Sequence, residues 1–240
     1  MLYSNSLYYS RLMCIICNVM RDTVIFSGGS IDLCFAAEFM KDKMNSILIA
    51  ADRGLEALLS LGLKPSAVIG DFDSLSEETK KTLRSLESDE NVNVIYLNPV
   101  KDDTDTEAAL SFALENNKEA GDIYILGGTG SRVDHILGNI SILGMGQAFG
   151  KRVILIDENN RIELLFEERK LKKDEAFGDY VSLIPYGDEV TGLTLSGFKY
   201  PLKKGTLKDY NSLGISNEIV SKEALISFDT GVLIMVESKD

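Results

Sequence analysis

Residues 67–79, AVIGDFDSLSEET, carry the sharpest chemical signal in the chain: an apolar run breaks at Gly70 and releases Asp71 and Asp73 with only Phe72 between them. In an extended segment, side chains two residues apart leave on the same face, so the two carboxylates are expected to converge on one point. Like charges held together repel unless something neutralises them. A hard divalent cation does so, because Mg2+ takes one or two carboxylates and completes its shell with water and phosphate oxygens.

Four other polar tracts punctuate the first half of the chain: GG at 28–29, ADRG at 51–54, NPVKDDTD at 98–105 and GGTGSRVDH at 127–135. They add Asp52, Asp103 and Asp105 to the acidic set, glycines whose bare backbone N–H groups can approach phosphate, and two cations, Lys101 and Arg132. Taken singly, each tract also has an ordinary explanation. Asp-x-Asp fits an Asx-turn with a helix cap, Asp103 or Thr104 fits a helix cap with Asp105 in the first turn, Asp52 fits a cap of the second helix, and the lone histidine, His135, fits a helix position. Together they imply metal-assisted phosphoryl transfer.

The frame that must hold these tracts is legible in the alternation of short β-branched runs, TVIF, SILIAA, SAVIG, NVIYL and DIYIL, with helix-like segments. It predicts parallel strands with helices near 32–43, 54–61, 76–87, 104–116 and 132–148. In the last helix Val133, Ile136, Ile140 and Leu143 recur at helical spacing and are expected to face the core. Beyond residue 157 the runs YVSLIPYG, VTGLTLSGF and ALISFDTGVLIMVES read as strands punctuated by glycine and proline, which predicts a separate all-β domain. The charged stretch FEERKLKKDE reads as a solvated hairpin or loop. Ligands of open parallel sheets bind at the carboxyl ends of the strands, and every polar tract falls there.

Composition narrows the partners. The chain of 240 residues has 45% hydrophobic and 26% charged residues and a net charge of −12, so it reads as a globular protein that repels nucleic-acid backbones and anionic membranes. Three cysteines, Cys14, Cys17 and Cys34, read as free thiols of a cytoplasmic protein. The run LMCIIC is too short for a secretory or membrane segment. The first twenty residues match poorly with the strand pattern that begins at Thr23, so Met20 is either an alternative start or the end of an ordered extension. Neither a Walker A motif nor a protein-kinase motif set is present.

In order, GDFDS, KDDTD and GGTGSRVDHILGN, followed by an all-β region carrying GISNE, resemble the thiamine pyrophosphokinase family from about residue 23 to the end. The resemblance implies an open, mostly parallel α/β domain at 22–156 that binds ATP and Mg2+, then a β-sandwich at 157–240 that binds thiamine and dimerises, with 1–21 as an extension. It implies transfer of the pyrophosphoryl group of ATP to thiamine. It makes Asp71, Asp73 and Asp105 the Mg2+ centre with Asp52 nearby, and Lys101 and Arg132 phosphate partners. Gly28, Gly29, Gly127, Gly128, Thr129 and His135 are then cofactor-binding, and Asp134, Ser216 and Asn217 lie on the thiamine side. It further implies a homodimer with sites at the interface. Many relatives carry an aromatic residue where this chain has Val133, so stacking from that position is lost. Competing readings are a haloacid-dehalogenase-like phosphatase, a nucleotide-sugar transferase, and a non-catalytic nucleotide or thiamine sensor.

Overall fold

The computed structural model describes residues 21–98, 103–117, 121–208 and 210–240. The expectations resting on Lys101 and on residues 1–20 lie outside the described residues.

Five short strands, β1 (Thr23–Phe26), β2 (Ile47–Ala51), β3 (Ala67–Gly70), β4 (Asn93–Tyr96) and β5 (Ile123–Leu126), pair in parallel, and β6 (Val153–Ile156) joins beside β5. β1 and β3 are buried at every position, as strands covered on both faces must be, and this explains their unbroken apolar runs. On one face pack α1 (Leu33–Lys41), α2 (Gly54–Ser60) and α3 (Glu77–Leu86), whose Met40, Leu55, Leu58 and Leu83 meet Val24, Phe26 and Val68 of the sheet. On the other lies α4 (Asp105–Asn116), burying Ala109, Leu110 and Ala113 against Ile25, Ile49 and Ile69. Side chains close the helix starts: Asp32 accepts from Phe35 N, Ser76 from Thr79 N and Thr104 from Glu107 N.

The sheet does not stop at the end of the parallel region. The turn 157–159 leads from β6 into antiparallel β7 (Asn160–Leu165), and β13 (Leu233–Ser238) and β9 (Tyr180–Pro185) extend it to nine strands in the order β4-β3-β2-β1-β5-β6-β7-β13-β9. A second sheet, ordered β11-β10-β12-β8, comprises β8 (Arg169–Lys172), β10 (Val190–Ser196), β11 (Leu202–Leu207) and β12 (Glu223–Ser227). A third core, with Leu165, Leu183, Leu193, Ile226 and Met235, lies between this sheet and the antiparallel end of the first. The fold is thus a mostly parallel α/β region followed by an antiparallel β region, as expected from the sequence.

Three local expectations are corrected. FEERKLKKDE holds a strand, β8, followed by a 3-10 turn, because Leu171 is buried between Lys170 and Lys172, which point outward. The helix expected over 132–148 ends early: α5 spans Val133–Ile142, and a 3-10 segment covers Leu143–Phe149. Its first apolar residue does not face the core either, since Val133 is 66% exposed and Leu137 60%. Only Asn139 of α5 is buried.

Candidate active site

Strands β2, β3 and β4 follow β1 outward in one direction, whereas β5 and β6 lie on its other side. The chain therefore reverses its winding between β1 and β5, and loops leaving their carboxyl ends diverge there to open a crevice. A cleft of about 870 Å3 occupies this point. Of the residues singled out in the sequence, it gathers Gly28, Gly29, Asp52, Asp105, Gly127, Gly128, Arg132 and His135. Asp71, Asp73, Thr129 and Asp134 do not line it, nor do Ser216 and Asn217.

The glycine loops are built to close tolerances. Gly29 N donates to Gly127 O at 3.1 Å, and a Cβ on Gly29 would sit 2.2 Å from that oxygen. Gly127 has φ +74°, the left-handed region that glycine enters without steric cost. Asn139 Nδ2 donates to Gly128 O at 2.8 Å from a buried position, locking the second loop to α5. The hydroxyls of Ser27 and Thr106, both buried, meet at 2.5 Å and tie the end of β1 to the first turn of α4. Ser27, Thr106 and Asn139 all line the cleft, and sequence reasoning missed them. Asn139 carried a signal, as a polar residue within the GGTGSRVDHILGN tract on a helix with apolar repeats.

The acidic edge is laid out differently from a simple extended pair. Phe72 has φ +63°, so the strand alternation that would aim Asp71 and Asp73 at one point breaks between them. The cause is packing: Phe72 is only 4% exposed, and its ring meets Tyr96 edge-on at 5.0 Å. Asp71 Oδ1 accepts from Asp73 N at 3.1 Å, an Asx-turn. Two bonds fasten the 71–76 loop to the end of β2 and the start of α2: Ser74 Oγ donates to Asp52 Oδ2 at 2.6 Å, and Ser76 N donates to Glu56 Oε1 at 2.8 Å. The Ser76 N–H, foremost, holds the Glu56 carboxyl below the usual glutamate range.

Asp52 itself has φ +45°, and its Oδ1 is buried without a hydrogen-bond partner among the described residues. A strained non-glycine residue with an uncompensated carboxylate oxygen is costly, and such costs concentrate at ligand sites. Among the described residues, no three His, Cys, Asp or Glu side chains are grouped closely enough to hold a metal, so Asp71, Asp73 and Asp105 are not gathered into one cluster.

Arg132 and Asp134 are paired with one another. Arg132 Nε and Nη2 donate to the two Asp134 oxygens at 3.2 and 2.6 Å, which raises the arginine pKa and lowers that of the aspartate. Both side chains are exposed.

Across the molecule, the Asn217 amide is bonded to backbone groups. Its Oδ1 accepts from Tyr200 N and Glu218 N, each at 3.0 Å, its Nδ2 donates to Tyr200 O at 2.9 Å, and its backbone bridges Val181. The residue is buried and supports its exposed neighbour Ser216, which has φ +55° and whose N–H donates to Ser182 Oγ at 2.9 Å.

An open sheet with glycine loops and carboxylates at its switch point, joined to an antiparallel sandwich, defines an α/β-class protein with its ligand cleft at the carboxyl edge of the sheet. Residues 41–155 match the family model for the thiamin pyrophosphokinase catalytic domain, and residues 168–233 match that for its vitamin B1 binding domain. The thiamine pyrophosphokinase of Bacillus subtilis (strain 168) is 38% identical over 222 residues, covering 92% of this chain and 100% of that one. A crystal structure of the Bacillus subtilis enzyme superposes with a TM-score of 0.81 at 34% identity, covering 91% of this chain and 99% of that one. That of the Geobacillus thermodenitrificans thiamin pyrophosphokinase gives 0.77 at 31%, covering 91% and 98%. The chain belongs to the thiamin pyrophosphokinase family.

Proposed function

We propose that the chain transfers the pyrophosphoryl group of ATP to the hydroxyl of thiamine, giving thiamine diphosphate and AMP. The observation that carries this reading is the cleft at the β1/β5 switch point, where two glycine loops and the carboxylates Asp52 and Asp105 line a space large enough for a nucleotide. Phosphoryl transfer asks for positioning and charge neutralisation more than for covalent chemistry by the protein.

The donor chemistry suits a divalent metal, since Mg2+ takes carboxylate oxygens and the buried Asp52 Oδ1 has no partner among the described residues. In this reading Asp71, Asp73 and Asp105 would hold it after being drawn together from the separate places they occupy here. Bound there, Mg2+ would neutralise polyphosphate charge. Gly28, Gly29, Gly127, Gly128 and Thr129 cradle the phosphates, His135 borders them, and Lys101 and Arg132 take up negative charge. Asp134 addresses the cationic or aminopyrimidine part of thiamine, so substrate binding exchanges the Arg132–Asp134 pair for two separate ligand contacts. Ser216 closes the thiamine side, with Asn217 fixing its backbone.

In this reading 22–156 is the nucleotide domain, 157–240 the thiamine and dimerisation domain, and the enzyme a cytoplasmic homodimer. Supporting the dimer, Ser216 lies beside edge strand β9, four strand spacings and so roughly 20 Å from β5. Exposed Val133 and Leu137 flank the cleft, and exposed Leu213 and Ile215 flank Ser216, leaving two apolar patches for isologous burial. No helix among the described residues is long and apolar enough to cross a membrane. Incubation with Mg·ATP and thiamine, followed by identification of the nucleotide product, tests the function. AMP supports it, whereas ADP, free phosphate or no turnover overturns it in favour of a kinase, a hydrolase or a sensor.

A further inference from the structure

We propose that Arg53 is a phosphate-binding residue for the nucleotide, a role that rests on the pyrophosphokinase reading. Polyphosphate entering this cleft meets Asp52 and Asp105, so basic groups must offset the carboxylates. Among the described residues that line the cleft, the basic side chains are Arg53, Arg132 and His135. Asp134 already occupies two nitrogens of the Arg132 fork. Arg53 is held far more loosely: the ion pair described for it is Nε to Glu56 Oε2 at 4.0 Å, with its side chain 58% exposed.

Glu56 reaches that guanidinium only through Oε2 at 4.0 Å, beyond hydrogen-bond length, while its Oε1 accepts from Ser76 N. Arg53 follows strained Asp52, and its backbone N lies 3.7 Å from where a Cβ on Gly28 would be. The arginine therefore rises from the wall of the first glycine loop, with a planar donor fork that matches phosphate oxygens. A solvated surface arginine would share the exposure but not this position between Asp52 and Gly28.

Titration calorimetry with ATP and with adenosine, and steady-state kinetics with Mg2+ present, test the assignment on wild type, Arg53→Gln and Arg53→Lys. Loss of a charge-assisted contact raises the Kd and KM for ATP on the order of tenfold to a hundredfold in Arg53→Gln. Adenosine affinity, the KM for thiamine and the thermal midpoint stay unchanged, and Arg53→Lys recovers part of the ATP affinity. Unchanged ATP affinity, or equal weakening of ATP and adenosine, overturns the role. Should Arg53→Gln fail to fold, Arg53→Lys decides alone: a point charge without the fork weakens ATP but not adenosine if Arg53 binds phosphate, and neither ligand if it does not. A wild-type protein that makes no AMP from Mg·ATP and thiamine sinks the pyrophosphokinase reading, while the ATP and adenosine difference still judges Arg53.

Discussion

The hydroxyl of Ser74 donates to Asp52 Oδ2 at 2.6 Å, joining the loop after β3 to a residue at the end of β2 whose backbone is left-handed at φ +45°. The bond spans two adjacent strand ends and fixes how the Asp71–Asp73 loop stands against the cleft. Ser74→Ala removes the donor from an Asp52 carboxylate whose other oxygen is buried and has no partner among the described residues. We expect a loss of about 1–3 kcal/mol in chemical denaturation. Activity should fall on the order of tenfold, and an unchanged denaturation midpoint would show that the bond carries no weight.

Asp71→Asn and Asp73→Asn are expected to abolish AMP formation and leave the fold intact, because neither side chain contributes to the cores. Mn2+ or Mg2+ titration followed by calorimetry provides a readout independent of turnover. Near-normal activity with normal metal dependence would refute their assignment.

Replacing Asn139 by alanine leaves the Gly128 carbonyl without its 2.8 Å donor in a buried setting. Destabilisation of about 1–3 kcal/mol is expected, together with a raised KM for ATP and an unchanged KM for thiamine. Equal increases in both constants would mean that the loop is not specific to the nucleotide half.

Stability should depend on pH through Glu56. Its folded-state pKa is depressed, chiefly by the Ser76 N–H, so the ionised form favours the folded state. That contribution is present above the unfolded glutamate value and is lost as pH falls through the folded one. The gap in thermal midpoint between wild type and Glu56→Gln should therefore be widest near pH ~7 and narrow as pH falls below the ordinary glutamate value. A gap that widens on acidification would contradict the sign.

If sites are shared between subunits, Asp71→Asn and Ser216→Gly proteins, each inactive, should complement one another when unfolded together and refolded. Glycine at 216 removes the hydroxyl while accepting the φ of +55°, so the variant tests the contact and not the turn. Random pairing restores about a quarter of wild-type activity, since half the dimers carry one intact site. Heterodimers without activity would place both halves of a site in one subunit.

Much of this was legible in the sequence because burial on two faces leaves a plain record. The runs TVIF and AVIG could only be central strands, and the polar tracts between strands and helices had to fall at the sheet's carboxyl edge. What periodicity could not foresee were choices made by packing. Phe72 accepts a left-handed backbone to bury its ring under Tyr96, which undoes the alternation of the two aspartates. The repeat that includes Val133 looks like a core stripe, yet Val133 and Leu137 stand exposed on α5. That Asn217 bonds the backbone of Tyr200 was equally invisible, because exposed and backbone-bonded amides are identical letters.

The uninterrupted run from β6 into β7 has a mechanical consequence. Nine hydrogen-bonded strands behave as one girder, and the span from the glycine loops to Ser216 is fixed by counting strands across it. Flexing one protomer cannot shorten a gap of roughly 20 Å built from strand spacings. In the dimer proposed above, productive contact between those ends would be a property of concentration, falling away on dilution as protomers separate.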